Sequence, residues 1–291
     1  MCDDWPVRGL HNGASRWEQA MSFYGVPEGR RVTMRDLAEA TRRGEKWPMI
    51  TAYDAMTARI FDEAGIPALL VGDSAAMVVY GHDSTLPVTV DELIPLVRAV
   101  VRGSSRALVV GDLPFGSYQS SPSQALQTAS TFMKAGAHAV KLEGGAPMLP
   151  QVEALANAGI PVIGHLGLTP QSVNLLGGYR VQGRGEAGEN LMRDAKSMEA
   201  AGACAIVLEV VPAELAARVS EVLTIPTIGI GAGSDTDAQV LVWQDLLGLS
   251  PQVPKFVKRY ADVRSIMAEA VTAWSADVVS GAYPAPEHAY T

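Results

Sequence analysis

Cysteine is scarce: only Cys2 and Cys204 occur in 291 residues. Two distant cysteines form no disulfide framework, and that usage favours a reducing, cytoplasmic compartment. Cys204 reads as a small buried residue leading into a strand. Charge is also sparse, at 19% of residues, and leans acidic to a formal net of -8. With no basic stripe, nucleic acid and anionic membrane surfaces are excluded as partners. No apolar run approaches the roughly 18 residues of a membrane span. The N-terminal MCDDWPVRGLHNGASRW has early acids and no apolar stretch, so it reads as neither a signal nor a transit peptide. What is abundant is hydrophobic residue, 48% of the chain. That suits a globular protein of one domain with a sizeable core.

One unit is spelled four times: an Ala-Gly pair, a short apolar strand, then a chemically loaded residue. DEAGIPALLVGDS ends on Asp73 and Ser74, and MKAGAHAVKLEGG carries Lys141 and Glu143. ANAGIPVIGHLG carries His165, and EAAGACAIVLEVVP carries Glu209. Glycine just past a helix is the expected left-handed stop. If the strands are parallel, the spacing sets the loaded residues at a similar height, at the strands' C-terminal ends. In a (β/α)8 barrel that end carries the chemistry.

Strands are expected at 47–53, 68–74, 107–113, 139–143, 161–166, 205–210 and 226–231, with a weak eighth at 245–249. Helical patterns fall at 57–64, 90–101, 123–134 and 191–201, and a short N-terminal helix at 34–43 has Thr33 as N-cap. The alternation predicts an α/β fold with a buried parallel sheet, closed into a (β/α)8 TIM barrel. Residues 1–30 read as an N-terminal tail or arm and 31–291 as a single barrel catalytic domain. Loops 80–88 and 167–189 are long and would lie on the active face; the second, glycine-rich, suits a lid or a plain surface loop. The Pro-rich tail SGAYPAPEHAYT is disordered or docks on a neighbouring subunit.

Asp73 and Asp112 end the matched runs LLVGDS and LVVGDL. Two strand-end carboxylates in a barrel mouth suit a hard cation such as Mg²⁺, although either alone reads equally as a helix cap or a surface acid. Lys141 and Glu143 share a strand face, able to hold a substrate carboxylate and support a metal shell, or to close the barrel as an ion pair. A Schiff-base role for Lys141 is disfavoured, because a lysine among carboxylates stays protonated. A lone histidine such as His165 is more often structural than catalytic. Glu209, flanked by AIVL and VVP, suits a general base, or a partner for a barrel arginine. GIGAG at 229–233 lacks the sixth-position glycine of a dinucleotide fingerprint, since Ser234 stands there, and reads as a tight turn.

Ten blocks in order carry a resemblance: TAYD (51–54), VGDS (71–74), GHDSTLPVT (81–89), DLPF (112–115), VKLEGG (140–145), GHLGLTPQSVN (164–174), GGYRVQGRG (177–185), VLEVVP (207–212), IGIGAG (228–233) and PKFVKRY (254–260). Together they resemble the ketopantoate hydroxymethyltransferase family of the phosphoenolpyruvate/pyruvate barrel superfamily. Ala238 stands where that family leads one to expect glycine. The resemblance implies transfer of a hydroxymethyl group from 5,10-methylenetetrahydrofolate to 3-methyl-2-oxobutanoate, forming 2-dehydropantoate for pantothenate biosynthesis through a Mg²⁺-stabilised enolate. It implies Asp73, Asp112 and Glu143 at the metal, and Asp73, Ser74, Asp112 and Lys141 on the substrate. Glu209 matches the proton acceptor and His165 an active-site histidine. It also implies a homo-oligomer, a decamer, and the mean hydropathy of +0.12 is compatible with extra buried interface. The alternative is a metal-dependent C–C lyase or mutase of the same superfamily acting on another oxo acid. A lyase of the isocitrate type would want a nucleophilic cysteine after a strand, where neither cysteine lies.

Overall fold

The computed structural model describes Val26 and residues 29–290, so the expectations for Cys2 and the first 25 residues lie outside the described part. The chain forms two compact units, one reaching to Val240 and one from Leu241 onward. In the first, eight parallel strands close into a barrel in sequence order. They are β1 Trp47–Thr51, β2 Ala68–Val71, β3 Leu108–Asp112, β4 Ala139–Glu143, β5 Val162–Gly167, β6 Ala205–Glu209, β7 Thr227–Ile230 and β8 Ala238–Leu241. β2, β3 and β4 are buried at every position, as strands covered on both faces must be.

The expected helices are present with their stops. Thr33 caps Met34–Arg42 in a reciprocal box with Asp36, and Thr89 caps Val90–Gly103 the same way with Glu92. The four repeated Ala-Gly pairs end helices as anticipated, with Gly65, Gly136, Gly159 and Gly202 at φ of 79–105°. Helices Leu149–Asn157 and Ala213–Val222, absent from the sequence-based pattern, complete the surround. Loop 167–189 is shorter than its residue count suggests, because it holds a 3₁₀ turn at Pro170–Ser172 and short helix Val173–Leu176, and helix Glu186–Ala200 starts inside it.

The eighth strand is corrected: it is Ala238–Leu241, and the stretch expected as strand begins inside helix Trp243–Leu246. A five-residue apolar run cannot be told from a buried helical turn by periodicity.

Period-2 alternation explains how the core becomes a site. Leu108 and Val110, Ala139, Ile163, and Ala205 and Val207 all belong to one apolar cluster, joined from the N-terminal helix by Met34, Leu37 and Ala40. On the same strand faces, two residues further on, stand Asp112, Lys141, His165 and Glu209, with Glu143 beyond Lys141. The barrel interior thus runs from apolar to ionic along its own axis. Each buried aliphatic side chain contributes about 1.5–3 kcal/mol toward holding that ionic rim in place.

Two features seat β3. The buried Asp62 carboxylate accepts backbone N–H bonds from Ser105 (2.9 Å), Arg106 (3.0 Å) and Ala107 (2.6 Å). Gly103 lets the preceding helix Ala55–Glu63 approach, since a Cβ there would stand 2.3 Å from the Ala55 carbonyl oxygen.

Leu241 onward contains helix Val263–Ser280, capped by Asp262, with no buried residue. Ile266, Val271 and Trp274 on it are each more than half exposed. Among the described residues no helix is long and apolar enough to cross a membrane.

Candidate active site

Register puts the loaded residues side by side: Asp112 pairs with Lys141, Glu143 with His165, and Gly167 with Glu209. Asp73, Asp112, Lys141, Glu143 and His165 are all buried, at 2–4% exposure. Asp73 sits two residues past the end of β2, and its backbone N–H donates to Asp112 Oδ2 at 3.1 Å. Lys141 Nζ lies 2.7 Å from Asp112 Oδ1 and 3.3 Å from His165 Nδ1. The imidazole stands between two carboxylates, with Nδ1 3.2 Å from Glu143 Oε1 and Nε2 3.1 Å from Glu209 Oε2. Glu209 is the open member of the set, its side chain 16% exposed. Ser74 Oγ meets the buried Tyr53 hydroxyl at 2.8 Å.

The electrostatics divide the groups. Burial raises Asp73 well above the usual carboxylate range, and Asp112 and Glu143 add to that. Burial also raises Asp112, although Lys141 pulls against it. Glu143 is lowered: burial opposes its charge, but His165, Lys141 and a backbone N–H outweigh burial. Lys141 is raised, because the desolvation that would discharge it is outweighed by Asp112, Glu143 and Asp73. His165 rises to about 9; burial and the Lys141 ammonium oppose a second charge, and the carboxylates on its two nitrogens prevail.

Asp73, Asp112 and Glu143 are the groups able to hold a metal. Their donors are hard oxygens, the kind that Mg²⁺ takes. Among the described residues no group of three or more His, Cys, Asp or Glu side chains is arranged to hold a metal ion; Mg²⁺ needs only one or two carboxylates, water filling its other positions.

Sequence reasoning missed the polar residues beneath the acids. Gln171 Nε2 donates to Asp73 Oδ2 (2.9 Å), and its backbone N–H donates to Glu143 Oε2 (2.9 Å). The buried Tyr118 hydroxyl accepts from the Glu143 N–H at 3.0 Å. Gln171 sits in the 167–189 loop, read for length and glycine content, and within the block 164–174; Tyr118 follows the DLPF block; neither was singled out. Val210, after Glu209, holds φ at 49°, the only non-glycine above zero among the described residues. A β-branched residue there costs about 1–3 kcal/mol. Its N–H to Ile230 O (2.8 Å) and its carbonyl to the Gln182 N–H (3.0 Å) hold it in place.

The model of the family described as ketopantoate hydroxymethyltransferase matches residues 31–286. This chain belongs to the ketopantoate hydroxymethyltransferase family. It is 63% identical to a 3-methyl-2-oxobutanoate hydroxymethyltransferase of Thermobifida fusca (strain YX), over 93% of this chain and 98% of the relative. A protein of the same name from Mycobacterium marinum (strain ATCC BAA-535 / M) is 59% identical over 98% of this chain and 96% of its own. As a ketopantoate hydroxymethyltransferase, the chain is a transferase, and the barrel expectation holds with it. Solved structures carry the same fold at much lower identity. A trigonal crystal form of 2,3-dimethylmalate lyase, of the PEP mutase/isocitrate lyase superfamily, superposes with a TM-score of 0.60 at 16% identity, covering 88% of this chain and 90% of its own. Phosphonopyruvate hydrolase with oxalate and Mg²⁺ gives 0.58 at 12%, over 88% and 93%.

Proposed function

We propose that this ketopantoate hydroxymethyltransferase moves a hydroxymethyl group from 5,10-methylenetetrahydrofolate to 3-methyl-2-oxobutanoate, yielding 2-dehydropantoate, and that Asp73 and Asp112, with Glu143 behind them, hold Mg²⁺ at its site. The observation that carries the mechanism is the separation of Glu209 from the other acids. It stands on its own strand, across His165 from Glu143, open to the mouth while the rest are buried.

When bound, Mg²⁺ supplies Lewis-acid polarisation of the substrate's keto oxygen. The protein's own groups do the rest. Lys141, kept charged by three acids, holds an anionic oxygen of the oxo acid. Ser74, steadied by Tyr53, offers a second polar contact. Glu209 accepts the C3 proton, and His165 orients it by holding one carboxylate oxygen at 3.1 Å. The carbanionic carbon then bonds to the one-carbon unit as that unit's C–N bonds to the folate break; water supplies the hydroxyl, and tetrahydrofolate leaves with the folate nitrogens protonated. Fixed charges of this kind contribute several kcal/mol each to a developing oxyanion.

Among the described residues, lyase chemistry of the isocitrate type finds no cysteine nucleophile. Cys204 precedes β6, its thiol donates to the Val162 carbonyl at 3.1 Å, and burial pushes it up to about 12. The exposed apolar residues of Val263–Ser280 support a homo-oligomer, and the family resemblance a decamer.

The test is proton NMR of 3-methyl-2-oxobutanoate in D₂O with enzyme and Mg²⁺, without folate and with an EDTA control, repeated with tetrahydrofolate. Metal-dependent loss of the C3 proton signal is expected. Silence in both arms overturns the reading in favour of a lyase or mutase acting on another oxo acid.

A further inference from the structure

The side chain of Gln171 uses its whole hydrogen-bonding capacity at one spot. Nε2 donates to Asp73 Oδ2 (2.9 Å) and to the Leu113 carbonyl (3.0 Å). Oε1 accepts from the Tyr118 hydroxyl (2.8 Å) and from Gln119 Nε2 (3.1 Å). Acceptors surround one end of the amide and donors the other, so the amide has a single consistent orientation. Its own N–H is committed as well, to Glu143 Oε2 at 2.9 Å. One buried residue therefore grips two of the three acids, one through its side chain and one through its backbone.

A carboxylate held by one oxygen has one oxygen left. With Oδ2 of Asp73 tied to Gln171, Oδ1 is the atom available to a cation; Glu143 has Oε2 on the Gln171 N–H and Oε1 3.2 Å from His165 Nδ1, so it stands behind Asp73 with both oxygens engaged. The carboxamide is also neutral. It can donate to an anion without discharging the cluster, which an ammonium there would do. We infer that Gln171 is the positioning residue of the cation site: it selects which oxygen of Asp73 a divalent cation meets, while its backbone holds Glu143 in place behind. The inference rests on the proposed metal role of those acids and extends it to a residue outside the ligand set.

The surrounding lattice provides the control. Gln151 is equally buried and belongs to the same network, donating to the Tyr118 and Gln119 carbonyls at 3.4 and 3.3 Å. It touches no carboxylate. Substituting either glutamine by methionine keeps length and volume while removing the amide. Gln171→Met also keeps the backbone bond to Glu143, so the effect read is that of the Asp73 contact.

The experiment titrates full-length wild type, Gln171→Met and Gln151→Met with Mn²⁺, counting free ion by electron paramagnetic resonance, with a melting curve for each. Losing an outer partner of a metal ligand typically weakens affinity by roughly 10- to 100-fold. The expected result is a loss of that size in Gln171→Met, with Gln151→Met staying within about threefold of wild type even where its melting temperature falls. At saturating Mn²⁺, kcat of Gln171→Met should recover far more than its metal requirement does. Unchanged affinity in Gln171→Met, or equal losses in both variants, overturns the inference and leaves the metal reading standing. No Mn²⁺ binding by wild type takes both down.

Discussion

At the scale of single residues, the site is a matter of which neighbour each charge has. Glu209 differs from Glu143 in little except position, yet one is sealed in and the other opens to the mouth. The proposed proton transfer by Glu209 rests on that difference. Glu209→Gln, which keeps shape and removes the base, should lower the transfer rate by about two orders of magnitude or more. Mn²⁺ affinity should stay near wild type, because Glu209 belongs to no proposed ligand set; steady-state kinetics and a metal titration check both halves. All of the charged members were legible in the sequence, because each closes an apolar strand and stands out against it. The neutral members were not. Tyr53, Tyr118 and Gln171 are ordinary polar letters until three loops converge. Glu209 was read as an acid among apolar neighbours, but its carboxylate faces His165, and strand pairing between β5 and β6 decides that.

At the scale of elements, the repeated helix-stop and strand unit made β2, β4, β5 and β6 readable through their Ala-Gly lead-ins, and β1, β3 and β7 were readable from their apolar runs. The eighth lacks that Ala-Gly lead-in. Ala238–Leu241 follows the polar turn at 234–237 and is only four residues long, so nothing local marks it. Long-range caps were equally hidden. Asp62 lies within a helical run and reads as a surface acid, yet it collects three backbone N–H groups 43 to 45 positions away. Removing it would orphan those donors at the entrance of β3. Asp62→Ala is expected to cost about 3 kcal/mol or more, read as a shift of the urea midpoint. Because β3 carries Asp112, weaker metal binding should accompany that loss.

At the scale of the whole molecule, the pH response of stability depends on a histidine far from the chemistry. His138 leads into β4 and accepts the Val109 N–H through Nδ1 at 3.1 Å. Burial, aided by the Arg31 cation, lowers its pKa from 6.5 to about 4. The folded protein therefore resists a proton that the unfolded chain takes up. This contribution is intact above about pH 6.5 and is lost as pH falls toward 4. His138→Asn, which can still accept that N–H bond but cannot titrate, should flatten stability across this window; urea midpoints measured from pH 7 to 4 would show it.

The contacts Asp112 to Lys141 (2.7 Å), Lys141 to His165 (3.3 Å) and His165 to Glu209 (3.1 Å) run unbroken across four adjacent strands. In so dry a setting, charges that close act strongly on one another. Under the proposed roles, an oxo acid docking its carboxylate on Lys141 enters the same row that ends on Glu209. Filling the substrate end of that row is then felt two strands away, at the end where the proposed base stands.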